Sequence, residues 1–563
     1  MQRQITRVLL WAPAVAAGIF LLALIVNQGE IRAALNAHAD FASAPVLAEL
    51  IGEAPPGSTL VLGDYPWYEA FWLLRATKWL PAHFFVWQLV PFVLWLSTAL
   101  LAGASIWRAS ASRWAGVTAA ALVICGGVGM RGTLWSLNTH GPAAFHVALL
   151  AAALTLAAAR PAWTRGLRGW GGAVVLGAVT AVGATDPLVL ALGVGPLLIA
   201  SGIVWLWRGD ASLLRLALAV SVIGVAGAKV LDRLAQDASI SWTHKALKFV
   251  DIGGIVDHLG LLPGVAARMA SRSPFSEAIA ADTALAMAAA LTGLIAGIVV
   301  LTVSVRLFKR AVWPERFGLE QAAVDGNGNG SSEAGAQPTA PAGDAAPAGD
   351  EVGVPAEVGD PDTVFVAGLV FWFSVLAINL VAFVFTTAVI DVFGGRYLVS
   401  GWVALCVLIP LLAVRTDLRW LAGAVATLLC VASTFQFIRE PSPTFESVLP
   451  TEGLANEIER FTEPLGAKYG YAAFWDSIPI TWHTRFGLQA YPVLPCGAGN
   501  CRFYQHQISS WYEPKPGRSF LVIDPSQPQQ PNVDPAYGSP VATKQIGPVT
   551  VLVYDGDIAE HIS

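Results

Sequence analysis

In "LNAHADFASAPVLAEL" (35–50) a histidine and an aspartate, His38 and Asp40, follow closely on the first long apolar run. A carboxylate held beside a hydroxyl can take its proton as that oxygen attacks, so Asp40 is a candidate general base. The same residue could instead cap a helix over Phe41–Leu50. A second acid, Asp64, opens "GDYPWYEAFWLLRATKWLP" (63–81), where capping and catalysis fit equally. Tyr65, Trp67 and Tyr68 follow it in an aromatic, amphipathic stretch that suits a helix lying in the membrane interface.

Further polar groups stand at the ends of separate apolar runs. "WSLNTHGPAAFH" supplies Asn138, His140 and His146, and "GATDPLVL" supplies Asp186. "GAKVLDRL" supplies Lys229, Asp232 and Arg233, and "DVFGGRYLVSG" supplies Asp391, Arg396 and Tyr397. Each alone is ordinarily a cap, a snorkelling end or a tie between helices. Five such places gathered on one face by the predicted topology, with few on the other except basic anchors, favour a site there. Asp40, Asp64, Asp186 and His140 could alternatively hold a divalent cation (Mg, Mn or Ca), since oxygen-ligand sites have no compact signature.

The elements that must position these residues are membrane helices. The chain is 55% hydrophobic and 13% charged over 563 residues, far fewer charges than a soluble domain carries. Its net charge of −5 gives no basic surface for nucleic acid. Hydropathy predicts about eleven spans. They lie near Val8–Val26, Phe84–Ile106, Ala115–Met130, Ala143–Ala159, Gly171–Ala184, Leu188–Trp207, Leu216–Leu231, Ala284–Leu307, Val364–Ile390, Gly401–Val414 and Trp420–Ile438. The first reads as a retained span rather than a signal peptide, because it is long and lacks a small-x-small cleavage site. Gly171–Ala184 is short and could form a hairpin with its successor. With Gly171–Ala184 and Leu188–Trp207 counted as two crossings, Arg3, Arg7, Arg108, Arg113, Arg160, Arg208, Arg306, Lys309, Arg415 and Arg419 fall on one side, which predicts a cytoplasmic N-terminus and an outer C-terminus.

The expected fold class is therefore mainly α: a polytopic transmembrane helix bundle with a small extracytoplasmic α/β C-terminal domain. Residues 1–321 form the first membrane region, with a large outer loop over 27–83. Residues 322–362, rich in Gly, Ala, Pro and acids, read as a disordered cytoplasmic linker. Residues 363–439 continue the membrane region and 440–563 form the outer domain. In that tail Leu454, Ile458 and Phe461 predict a helix, and "YGYAAFW", "LQAYPVL", "RSFLVID" and "PVTVLVYD" predict strands. Trp475, Asp476, Trp482 and His483 in "GYAAFWDSIPITWH" could bind an acceptor, although a core strand with its turn is the simpler reading. Cys496 and Cys501 predict a disulfide in an oxidising compartment ahead of free or metal-bound thiols, since two cysteines alone do not fill a zinc site, and this agrees with the charge-derived topology. Cys125, Cys406 and Cys430 lie in apolar runs as small buried residues.

This layout resembles the polytopic GT-C glycosyltransferases, which use polyprenyl-phosphate sugars. The resemblance rests on Asp40 in a large first outer loop, the interfacial stretch Gly63–Pro81, the Asp186-Pro187 pair and Arg396-Tyr397 in a late outer loop. Phe41 follows Asp40, so the Asp-Glu pair of several subfamilies is absent. The resemblance implies sugar transfer from a polyprenyl-phosphate donor to an envelope glycan, lipid or protein, at the outer face of the plasma (inner) membrane. Asp40 would be the base, and Arg396, Tyr397, Lys229, Arg233 and His140 would meet donor phosphate and lipid. A transporter or flippase of lipid-linked saccharides is the alternative, since a broken helix near Asp186-Pro187 would suit a midplane site. A membrane protein that merely presents its tail domain is the third.

Overall fold

A computed structural model describes residues 2–31, 39–63, 72, 75–79, 83–126, 135, 140–164, 166–242, 248–270, 359–387, 396–416, 419–439, 451–527 and 529–563. The expected span Ala284–Leu307 and nearly all of the expected linker lie outside these residues, as do His38, Asp64, Tyr65, Trp67, Tyr68, Asn138 and Asp391.

The other expected spans are helical over most of their described residues, although the one expected over Val364–Ile390 ends at Phe385. They are α1 (Gln2–Val26), α3 (His83–Ser110), α4 (Arg113–Cys125), α5 (Gly141–Ala159), α6 (Gly166–Gly183), α7 (Pro187–Arg208), α8 (Ser212–Asp237), α10 (Pro361–Phe385), α11 (Val399–Val414) and α12 (Arg419–Arg439). Two further helices are α2 (Ala39–Leu50), in the loop after α1, and α9 (Ile252–Ala270), which hydropathy alone did not single out. Among the described residues seven helices are long and apolar enough to cross a membrane: α3, α5, α7, α8, α10, α11 and α12. The span expected to reach Met130 ends earlier, because Gly126 takes a positive φ of 52° and caps α4.

Burial sorts the bundle. In α10 and α11, 72% and 78% of the apolar window is buried, so they form its centre, whereas α8 (33%) and α12 (39%) leave broad apolar faces for lipid. Trp372 on α10 is fully buried and donates its Nε1 proton to Ser105 Oγ of α3 at 3.2 Å. Helices α3 and α4 cross most closely at paired glycines: a Cβ on Gly103 would lie 2.7 Å from the Gly116 carbonyl, and the converse distance is also 2.7 Å. Small residues let membrane helices approach in this way. Gly116→Val is expected to cost about 1–3 kcal/mol through forced separation, read as a lowered unfolding temperature in detergent.

At one end of the bundle, ion pairs Arg208–Asp360 and Arg415–Asp362 join the end of α7, the start of α10 and the end of α11. Asp360 also caps α10 through the Thr363 amide at 3.2 Å. At the other end, Phe437 near the end of α12 packs on Phe20 of α1 at 4.5 Å and on Trp135 at 6.1 Å. Ser433 donates to the carbonyl of Cys125 at 2.8 Å, so α4 ends there too. The chain therefore enters its C-terminal domain from the end of the bundle opposite Arg415.

That domain begins with α13 (Glu452–Thr462), whose Thr451 cap accepts from the Leu454 amide. Its six-stranded sheet runs β5-β4-β3-β7-β9-β8, with β3 (Tyr469–Ala472), β4 (Gln489–Cys496) and β7 (Ser519–Ile523) mutually parallel, β5 (Gly499–Arg502) antiparallel to β4, β9 (Val549–Tyr554) antiparallel to β7, and β8 (Ala542–Ile546) antiparallel to β9. Phe520, Val522, Val551 and Val553 fill one face with Ile458 of α13. Cys496 and Cys501 form the expected disulfide, Cα–Cα 5.7 Å, closing the β4–β5 hairpin. One reading is corrected. The stretch from Phe474 to His483 is a helix, α14, rather than strand and turn; only Tyr469–Ala472 of "YGYAAFW" is extended.

The domain is not built from the tail alone. A three-stranded sheet joins β1 (Leu60–Leu62) from the first loop, β2 (Ile240–Trp242) just past α8, and β6 (Gln507–Ile508) from the tail. Strand β1 lies between the others, parallel to β2 and antiparallel to β6. Ser509 reinforces the junction through its amide and hydroxyl, each 2.9 Å from Thr59. Helix α2 buries Ala42, Ala44, Val46 and Leu47 in the same apolar core as Ile478 of α14, Trp511 and Tyr512, while Val90 and Leu94 of α3 pack against its edge.

Candidate functional site

Most of the described residues singled out from the sequence fall into three groups in the fold, with Asp186, Lys229 and Arg233 outside them. The first gathers at the end of the bundle nearest the domain. His140 precedes α5, and Arg396-Tyr397 precede α11. The His140 and Tyr397 rings lie 4.8 Å apart, and the Arg396 guanidinium stands 5.3 Å from the centre of the Tyr397 ring. Burial first, and the charge of Arg396 second, hold the His140 imidazole below its ordinary pKa, so it is neutral at pH 7. Asn379, buried in α10, fixes the turn before α11: its Nδ2 donates to the Tyr397 carbonyl and its Oδ1 accepts from the Gly401 amide, both at 2.8 Å. A Cβ at position 401 would lie 2.6 Å from Asn379 Oδ1, so the glycine is required for this approach. Two helix N-termini, a guanidinium and a neutral imidazole thus converge, an arrangement that favours an anion. Asn379 escaped the sequence reading; its signal was a lone amide inside an otherwise apolar run.

The second group is the loop after α1. Asp40 lies within α2. The loop's later part is tied to that helix, because Arg75 donates to the Ala48 carbonyl at 3.2 Å and Lys78 pairs with Glu49 at 3.0 Å. Trp79 is 77% exposed beside these ties, the disposition of an interfacial anchor.

The remaining candidates are spoken for locally. Asp186 is buried and its Oδ1 accepts from the Leu188 amide at 2.8 Å, capping α7. Lys229 and Arg233 project from α8, 80% and 73% exposed at the side chain, and pair within that helix with Asp232 and Asp237. Among the described residues no three or more His, Cys, Asp or Glu side chains cluster as a metal site.

The third group lies in the C-terminal domain, where α14 begins immediately after β3 and puts Asp476 in its first turn. Asp524 follows the last residue of β7, the parallel neighbour of β3. Both acids and Gln527 are buried. Gln527 Nε2 donates to Asp476 Oδ1 at 3.3 Å. Asp476 Oδ2 and Gln527 Oε1 are left without a hydrogen-bond partner, at a cost of about 1–3 kcal/mol for each such group. Desolvation, and then the nearby Asp524 charge, push the Asp476 carboxyl up to about 8. The sequence reading named Asp476 but not its partners. The ending "VID" of a strand-like run was the available signal.

Comparison of the chain with known protein families, with curated proteins and with solved structures finds no match.

Proposed function

We propose that this protein is a membrane glycosyltransferase. It moves a sugar from a polyprenyl-phosphate donor to an envelope glycan, lipid or protein acceptor, on the face that bears the C-terminal domain. The observation that carries the reading is the convergence of His140, Arg396 and Tyr397 at two helix starts. That cluster supplies what a departing lipid phosphate needs: fixed positive charge and neutral hydrogen-bonding groups at the edge of the apolar bundle. The acceptor hydroxyl must lose a proton as it attacks. Asp40 is assigned that proton, and α2 carries it on the same side, held by the domain core and by β1. The segment tied to α2 by Arg75 and Lys78 would offer the lipid the exposed Trp79 ring.

A transporter of lipid-linked saccharides is the second reading. It is favoured by the π-turn Leu190–Val194, which interrupts the regular α bonding of α7 just after Asp186-Pro187. The phosphate assignment is tested by titrating short-chain polyprenyl phosphate into the protein in nanodiscs. Arg396→Ala is expected to weaken binding at least about tenfold, and Arg396→Lys less. Equal affinity in wild type and Arg396→Ala would remove the arginine from the phosphate site.

A further inference from the structure

Asp476, Asp524 and Gln527 stand at the carboxyl edge of β3 and β7. From β3 the chain crosses through α14 to β4 on one side, while β7 lies on the other. That is the switch point of the sheet, where parallel α/β layers open a crevice for ligands. Here the three residues are 0%, 2% and 4% exposed, so a ligand held by all three would be no larger than an ion or a water.

The unpaired atoms say which kind. Asp476 Oδ2 and Gln527 Oε1 are both acceptors, buried and without a donor. Gln527 already spends its amide N–H on Asp476 Oδ1, so its carbonyl oxygen sits next to the carboxylate. A proton on Asp476 Oδ2 could be donated to Gln527 Oε1, and a cation between the two oxygens would take the place of that proton. Asp524 brings a second carboxylate to the same place, and its Oδ1 is engaged by Ser526 through the amide at 2.9 Å and the hydroxyl at 2.7 Å. The charge acting on Asp476 is that of Asp524, a like charge. Buried acceptors in excess, with like charge between them, are the complement of a cation.

We propose that Asp476, Asp524 and Gln527 bind a hard divalent cation of the calcium or magnesium class inside the C-terminal domain. Carboxylate and amide oxygens are the ligands such ions take, and backbone carbonyls can complete the shell. The ion would tie the first turn of α14 to the loop after β7. Because α2 packs on α14, it would also stiffen the support of the first outer loop.

The test is thermal unfolding of the full-length protein in detergent, stripped with chelator and then supplied with calcium or magnesium chloride. The unfolding temperature of wild type is expected to rise by roughly 5 °C with at least one of the two ions. Asp476→Asn and Asp524→Asn are expected to fold, since each keeps the side-chain shape, and to lose that rise. Gln527→Leu, which removes the amide oxygen, is expected to diminish it. A wild-type protein indifferent to both ions, or an equal rise in Asp476→Asn and Asp524→Asn, would overturn the proposal. The first result would leave a proton on Asp476, shared with Gln527, in place of the ion, and the second would put the ion elsewhere.

Discussion

Asp40→Asn is expected to lower sugar transfer by a factor on the order of 10²–10⁴, the range a general base contributes. The amide keeps the shape of the carboxylate but cannot take a proton at neutral pH. The fold should not respond. Helix α2 is held by Ala42, Ala44, Val46 and Leu47 against the domain core, and by β1 in the sheet that follows. The expected pattern is a loss of kcat with little change in donor binding or unfolding temperature. Full activity in the variant would remove Asp40 as the base. A matching loss of stability would mark it as a structural residue of α2.

The second large effect concerns stability and pH. The Asp476 carboxyl has an ordinary pKa of 3.8 and is pushed up to about 8 in the fold by burial and then by Asp524. The folded state therefore binds its proton more tightly than the unfolded chain. Stability from this group is complete below pH 4 and is lost as pH rises toward 8. Between pH 5.5 and 8.5, in chelator, the wild-type domain is expected to lose on the order of 3 kcal/mol from this source. Asp476→Asn, which is neutral throughout, should not lose it, so the variant should unfold at a higher temperature than wild type at pH 8.5. Parallel unfolding temperatures across that range would contradict the assignment.

The helices of the bundle were legible because their signal is local: long apolar runs with basic ends. The fold departs from that reading where local signals conflict. Helix α9 carries Gly253, Gly254 and Gly260, which dilute its apolar pattern. Helix α14 begins in small and aromatic residues that resemble a strand, and it tolerates Pro479 within it. Strands β1, β2 and β6 are two or three residues long, too short for an alternating pattern, and they pair across hundreds of residues. No reading of the tail alone could find that α2 belongs to its core.

The candidate site was legible in the same proportion. His140, Arg396 and Tyr397 could be named because polar residues at apolar ends stand out, and the fold brings all three together. Asp186, Lys229 and Arg233 carry the same signal, yet one caps a helix and two pair along their own helix. Residue type does not tell these uses apart; only the packing of distant segments does. Asn379 and Gln527 work by fixing or facing other groups, and such roles leave no motif in a sequence.

The central claim is chemistry on a lipid-linked sugar, and one assay meets it directly. Purified protein in liposomes is given a radiolabelled polyprenyl-phosphate sugar with a mixed envelope acceptor fraction. The expected result is release of polyprenyl phosphate in step with label appearing in the acceptor, strongly reduced in Asp40→Asn and Arg396→Ala. Movement of intact lipid-linked sugar across the bilayer, with no bond broken, would contradict the account and establish a transporter.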